Sequence, residues 1–489
     1  MALPAPIPDD PPATTDRRTS PPGRAALPAL RSRLTIPVLA FGGILMAVMQ
    51  TVVVPLLPDL PRLTGASPGT VSWMVTATLL SGAVLTPVLG RAGDMYGKRR
   101  VLLAAFALMA AGSVICALTS EIGVLIAARA LQGAASAVVP LSISILRDEL
   151  PAERRGSAVA LMSSTVGIGA ALGLPAAAVV VQYANWHVMF WVTGALGATG
   201  VALTRWAVPE SPAREPGRFD VPGALGLAAG LGCLLLGVSQ GGPWGWGSTR
   251  TLGLFGAAGV ILGLWSWQQL RARLPLVDLR LVSRPRVGLP HVAALLTGFA
   301  FYANSLLTAQ LVQAPRATGY GLGLSIVETG LCLLPGGVIM LLISPVSARM
   351  SQARGPRVTL ALGAAVIALG YAVRIADSRE LWMIIVGAGV VAIGTTLAYT
   401  ALPSLILHAV PAGQTASANG VNVLMRTIGQ ATSSAAVAAV LVHHTRPVGG
   451  APVPTLHGYL PAFALAGAIA LVACAVALTI PGDPANEGP

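Results

Sequence analysis

Fourteen stretches of about twenty residues recur along this chain, each long and oily enough to cross a hydrocarbon layer about 30 Å thick as a helix. They fall near 34–57, 70–90, 101–119, 122–146, 157–181 and 187–208, then 221–240 and 250–270, then 287–313, 324–348, 357–376, 381–407, 414–442 and 459–480. Lipid offers no partner to a backbone amide, so spans of this kind must satisfy themselves as helices. The fold class this predicts is all-α integral membrane, in blocks of six, two and six. Composition agrees, because only 10% of residues are charged and 54% are hydrophobic. An average soluble domain carries roughly 25% charge. Lipid must therefore cover most of this surface. The division expected is a disordered cytoplasmic tail over 1–33, a six-helix bundle over 34–208, and a linker with two extra helices over 209–286. A second bundle over 287–480 and a short tail over 481–489 complete it.

The net charge of +13 would suggest nucleic acid in a soluble basic protein. Here the cations sit in short loops between apolar runs, so no nucleic-acid partner is expected. With the N-terminus inside, 23 of the 31 Lys and Arg fall on the cytoplasmic side. Six fall outside (Arg62, Arg250, Arg316, Arg374, Arg379, Arg446), and Arg129 and Arg426 lie within spans. Such a bias sets orientation, which predicts a multi-pass protein of the cell membrane with both termini cytoplasmic. Residues 1–33 lack the apolar core of a secretory signal. Cys116, Cys233, Cys332 and Cys474 are scattered through apolar runs, and His443 and His444 stand without further ligands, so no metal site is expected. No phosphate-cradling Gly-x-x-x-x-Gly-Lys-Ser/Thr occurs. No catalytic cluster lies near a helix end, so the chain does not read as an enzyme.

The two six-helix blocks carry an internal repeat. Thr86–Arg99 reads TPVLGRAGDMYGKR and Ser344–Arg357 reads SPVSARMSQARGPR, matching at Pro87/Pro345, Val88/Val346, Arg91/Arg349, Gly97/Gly355 and Arg99/Arg357. Both segments end the second helix of a block. In the first, Gly90 and Gly97 permit a tight turn, and Asp94 puts a carboxylate at a helix end. Arg91, Lys98 and Arg99 can pair with it and with neighbouring helices, locking an inner gate. Arg349, Gly355 and Arg357 form the matching loop of the second half.

This loop resembles the signature of the major facilitator superfamily between its second and third helices. The resemblance implies two pseudo-symmetric six-helix bundles with two inserted helices. Arg129-Ala130-Leu131-Gln132-Gly133 is similar to a second family motif, and an arginine at that depth costs at least about 2.5 kcal/mol without a wet cavity or a partner. A structural bond to another helix remains the alternative. Gly169, Gly173 and Pro175 in the fifth helix are similar to the helix-kinking motif of the family's antiporters. The departures in Gly173-Leu174-Pro175-Ala176 weaken the match, and close helix packing explains these small residues nearly as well. Asn419, Asn422, Arg426, Gln430 and Ser433 make one polar stripe along the thirteenth span, and Arg426-Thr427-Ile428-Gly429 resembles a feature of fourteen-span drug:proton antiporters. Asn304 and Thr308 form a similar face on the ninth span. With Gln50, Arg129 and Gln132 these are the expected cavity residues, or else glue between helices.

The resemblance implies a secondary active exporter of a drug-like or natural-product molecule, working as a monomer in the bilayer. It needs no cofactor and draws on the proton gradient. One departure bears on coupling. Those antiporters carry an aspartate where Met49 stands in Val48-Met49-Gln50-Thr51-Val52-Val53. Glu328 and Asp59, near outer helix ends, are the candidate replacement acids, and Glu328 could equally be a solvated helix-start residue. A cavity with arginines and no carboxylate favours a neutral or anionic substrate over a permanently cationic one. An importer or facilitator with the same fold stays open, as does a membrane sensor that transports nothing.

Overall fold

An apolar run becomes a defined helix only where its ends are stopped, and this chain stops them with short polar side chains and glycines. The computed structural model describes residues 22–53, 56, 60–211, 217–378, 380–448 and 451–481. The first half comprises α1 (Pro22–Thr51), α2 (Pro68–Tyr96), α3 (Lys98–Leu118), α4 (Ile122–Glu149), α5 (Ala152–Tyr183) and α6 (His187–Ala207). Next come α7 (Val221–Trp244) and α8 (Thr249–Arg271). The second half comprises α9 (Pro285–Gln313), α10 (Ile326–Arg354), α11 (Pro356–Ala376), α12 (Leu381–Ala409), α13 (Thr415–Val442) and α14 (Leu456–Thr479). Ser67, Asp220, Ser248 and Thr455 cap α2, α7, α8 and α14 by accepting from a backbone N–H three residues on, which satisfies donors that a helix start leaves orphaned. Gly97 and Gly355 separate the second and third helices of each half at φ of 112° and 83°. A side chain would strain that backbone, so the repeat's glycines are turn residues.

Thirteen helices among the described residues are both long and apolar enough to span a membrane. The remaining expected span, α13, has 28 residues, or roughly 42 Å. It misses the apolarity criterion because its polar stripe lies inside the protein, with Asn419, Asn422, Arg426 and Ser433 all buried. Three expectations change. Helix α1 begins at Pro22, so 22–33 extends the first helix, with proline at its first position and helix-favouring Ala, Leu and Arg after it. Span α4 is broken by a 3₁₀ turn at Gly133–Ala137. The outer loop before α14 forms a hairpin, β1 (Thr445–Val448) paired with antiparallel β2 (Ala451–Pro454).

Small residues set the spacing between helices. A Cβ at Gly169 would fall 2.4 Å from the Ile44 carbonyl, and one at Gly173 would fall 2.1 Å from the Thr51 hydroxyl, so α5 lies hard against α1. The equivalent pair in the second half crosses at Gly298 and Gly429. The halves meet along two seams. On one, Gly156, Gly167 and Pro175 of α5 face Gln352, Met340 and Gly330 of α10. On the other, Gly90 and Thr86 of α2 face Ala416 and Gly420 of α13. Leu227, Leu231 and Leu235 of α7 cover this second seam, packing with Ala83 of α2 and Val421 and Leu424 of α13. Helix α8 rests on α7 and buries only Thr251, Ala258 and Gln269.

A Cβ at Gly429 would approach the Leu295 carbonyl to 2.0 Å. Overpacking of this kind costs about 1–3 kcal/mol. Gly429→Val should therefore lower the melting temperature of the detergent-purified protein, while Gly256→Val on α8, where a Cβ meets nothing within 4 Å, should leave it unchanged.

Candidate functional site

The polar residues inside this bundle fall into a cluster between the halves, three arginine clusters and an open chamber. In the first, Asp94 is fully buried at the end of α2. Its two carboxylate oxygens accept from the backbone N–H of Ala416 (3.2 Å) and Ser417 (2.8 Å) at the start of α13. A helix start presents unsatisfied donors and a partial positive charge, which a carboxylate complements. Lys98, also fully buried, pairs with Asp148 of α4 at 2.6 Å and reaches the Thr415 hydroxyl at 3.4 Å. Asp148 further accepts from Ser211, and Ser144 bonds Thr415. Arg147 of α4 donates to the Val410 carbonyl just past α12. These bonds tie the first half to the second on the face that carries the signature loops. Glu210 caps α3 through the Arg99 N–H (3.1 Å) and lies 3.7 Å from Arg100. Gly90 is required because a Cβ there would sit 2.7 Å from the Ala416 carbonyl. Arg91 is buried in the same region.

In the second half the gate chemistry differs. The repeat offset sets Gln352 opposite Asp94, and Gln352 lies against Gly156 near the start of α5. Arg349 is exposed, and Arg357 donates to the Leu478 carbonyl. At the position equivalent to Asp94 the α5–α10 seam thus carries a neutral amide.

The arginines lie apart from one another. Arg129 is completely buried and donates to the carbonyls of Met74 (3.1 Å) and Met49 (3.3 Å) and to Gln132 Oε1 (2.5 Å). Gln132 passes the chain on to Ser113 at 2.9 Å. Where the related antiporters carry an aspartate, the guanidinium here meets the backbone oxygen of Met49. Arg374, placed by the loop count on the outer surface, is equally buried. It donates to Asn304 Oδ1 (2.6 Å) and Thr308 Oγ1 (2.7 Å) and stands 4.4 Å over the Phe463 ring. The 258-residue offset pairs Arg374 with Cys116 and Thr308 with Gln50, so in each half one arginine anchors on the first helix. That pairing, and a charge in the last turn of an oily helix, were the signals in the sequence. Arg426 stacks on Tyr399 at 4.6 Å, and Tyr399 meets Phe301 at 5.6 Å. Asn419 bonds the Thr415 carbonyl at 2.9 Å, Asn422 is buried, and Gln430 is half-buried. Gln50 contacts the Met46 sulfur. The expected cavity set is thus divided among three clusters, and Asn304 and Thr308 serve Arg374 instead of facing Arg426.

Glu328 is corrected to a capping residue. It is exposed, its carboxylate accepts from the Ser325 N–H at 2.8 Å, and Ser325 accepts in return from the Glu328 N–H. Asp59 lies outside the described residues. Among those residues Asp94 is the one buried acid. The fifth-helix residues Gly169, Gly173 and Pro175 lie at helix contacts with α1 and α10.

Beside the Asp94 cluster a chamber of about 670 Å³ opens on the signature-loop face, walled by the ends of α4, α5, α9, α10, α11, α12 and α14. It reaches Thr400, roughly 13 Å in from the end of α12 at about 1.5 Å per residue. The sequence does not show it because its walls come from seven separate helices.

A family model described as Major Facilitator Superfamily matches residues 39–434. Multidrug resistance protein Stp of Mycobacterium tuberculosis is 29% identical over 403 residues, covering 82% of this chain and 74% of that protein. The tetracenomycin C resistance and export protein of Streptomyces glaucescens is 29% identical over 398 residues, covering 78% and 73%. Lincomycin resistance protein LmrB of Listeria monocytogenes is 28% identical over 347 residues, covering 70% and 72%. The crystal structure of the human organic anion transporter MFSD10 (TETRAN) superposes with a TM-score of 0.65 at 17% identity, covering 91% of this chain and 99% of that one. At that identity the likeness is one of fold.

Removing one partner of a buried pair costs about 3–5 kcal/mol, whereas replacing both with apolar groups is close to neutral. Lys98→Met should sharply lower the melting temperature, and Lys98→Met with Asp148→Leu should restore much of it, as read by thermal denaturation in detergent.

Proposed function

The chain belongs to the major facilitator superfamily and is a membrane transporter, and on that premise we propose that it exports a small drug-like or natural-product molecule. Export is supported by the names of its relatives, which describe multidrug, tetracenomycin and lincomycin resistance. The observation that carries the mechanism is the asymmetry of the two seams. Asp94 closes the α2–α13 seam with its carboxylate on the Ala416 and Ser417 N–H groups, and Lys98, paired with Asp148 inside the first half, adds a contact to Thr415, while at the position equivalent to Asp94 the α5–α10 seam carries the neutral Gln352. Two rigid halves joined by one breakable charged lock can rock between inward-open and outward-open forms. By the arginine bias, the face with the lock and both termini is cytoplasmic. The working unit is a monomer.

The substrate is neutral or anionic. A permanently cationic molecule crossing this interior would meet Arg129, Arg374 and Arg426 with no carboxylate near the middle of any span, and burying charge without a counter-charge is expensive. The energy source is the proton gradient, as in the drug:proton antiporters this sequence resembles.

In a bacterial host stripped of its own exporters, this protein should protect against some members of a panel of neutral and anionic toxic compounds. Asp94→Asn should abolish that protection at equal membrane abundance, and a protonophore should collapse efflux. Saturable efflux of quaternary ammonium dyes would overturn the charge argument. Labelling that placed the two termini on opposite faces would overturn the orientation.

A further inference from the structure

The open chamber is ringed by Arg147, Arg155, Arg286, Arg354, Arg357 and His408, and among the described residues no aspartate or glutamate lines it. Arginines gather on this face of any inward-oriented chain, but orientation alone does not make them converge on one hollow. Three spend their hydrogen bonds on neutral carbonyls: Arg147 on Val410, Arg155 on Leu150 at 2.9 Å, and Arg357 on Leu478. A carbonyl fixes a guanidinium in place without cancelling its charge, although Asp148 offsets part of the charge of Arg147. His408 donates Nδ1–H to the Ser404 carbonyl at 2.7 Å, which leaves Nε2 on the free side of the ring. An adjoining hollow shares His408 and contains Asp278, but that carboxylate caps a short helix by accepting from the Arg280 and Leu281 N–H groups.

The rest of the lining completes a site. Val159, Leu405, Leu407 and Ile480 supply apolar wall, and Thr400 and Ser404 supply hydroxyls. The Ser351 hydroxyl is buried without a hydrogen-bond partner. A concave basin with low-dielectric walls and one sign of charge focuses its field and concentrates counter-ions. Its volume falls inside the roughly 300–1,000 Å³ range of sites for drug-sized ligands. Both halves contribute walls, so a molecule held here touches each of the parts that must move.

We propose that this chamber is the loading site for an organic anion, a compact apolar body bearing carboxylate, sulfate or phosphate. The inference rests on the exporter reading and narrows its substrate class. The same chemistry describes an acidic lipid headgroup, so the test separates the two sources.

The probe is fluorescein, followed by fluorescence anisotropy on the full-length protein in phosphatidylcholine nanodiscs, with rhodamine 6G as a cation of similar shape. Fluorescein should bind saturably and more weakly as sodium chloride rises, and rhodamine 6G should not. Each arginine removed should weaken fluorescein about fivefold, the effect of one unit charge across about 4 Å of water. Arg155→Gln with Arg354→Gln should thus lose about 25-fold. Arg354→Gln alone, at an exposed position, tests the idea should the pair fold poorly. Arg316→Gln, outside this lining, should change nothing.

Equal binding of rhodamine 6G, or wild-type fluorescein affinity in the double variant, sinks the proposal. So does complete displacement of fluorescein by phosphatidylglycerol in the discs, which would mark a lipid site. Efflux of a neutral compound without fluorescein binding removes the anion site and leaves export standing. Fluorescein binding without efflux of any compound does the reverse.

Discussion

A single carboxylate at the end of α2 meets the first turn of α13, and the relation between the two halves of this protein depends on it. Asp94 is buried, so water cannot serve as its alternative partner, and the Ala416 and Ser417 amides are the donors that satisfy it. The contact needs Gly90 and Gly420, where the α2 and α13 backbones come close enough to forbid a Cβ. It also needs Lys98, whose ammonium binds Asp148 and faces Thr415, the first residue of α13. Glycines, acid and base are therefore one device. Each is costly alone in an apolar interior, and together they satisfy one another.

The second half repeats the backbone of this device without its charge. Gly355 makes the same positive-φ turn as Gly97, but Gln352 stands where the acid would be. The amide against Gly156 carries no net charge, and next to it the protein opens into the arginine-lined chamber. The two seams thus share a backbone geometry and differ in charge.

Much of this could be read from residue order, for a definable reason. Helices in lipid are written locally, as runs of about twenty apolar residues, so most of their bounds are legible to within several residues, α1 with its start at Pro22 being the exception. The loop repeat fixed the pseudo-symmetry because Gly97 and Gly355 are constrained by backbone shape, which leaves its mark in one residue. What could not be read depends on residues far apart in the chain. Arg374 sits one turn from a helix end, and counting loops makes it a surface charge; only the approach of Asn304 and Thr308 from α9 makes it interior. Glu328, by contrast, was legible locally: Ser325, three residues earlier, makes it half of a capping box, the helix-start role open in the sequence. The polar stripe of α13 was legible as a stripe. Its division between the gate and the Tyr399 stack was not, since that depends on how α9 and α12 cross it.

The inserted pair has a bearing on how molecules reach the interior. Helix α7 lies along the α2–α13 seam and touches both sides of it, with α8 outside. An oily compound dissolved in the surrounding leaflet finds that flank shuttered by two extra helices. The insertion therefore sheathes one flank of an otherwise two-fold molecule and makes it unlike the flank where α5 and α10 meet.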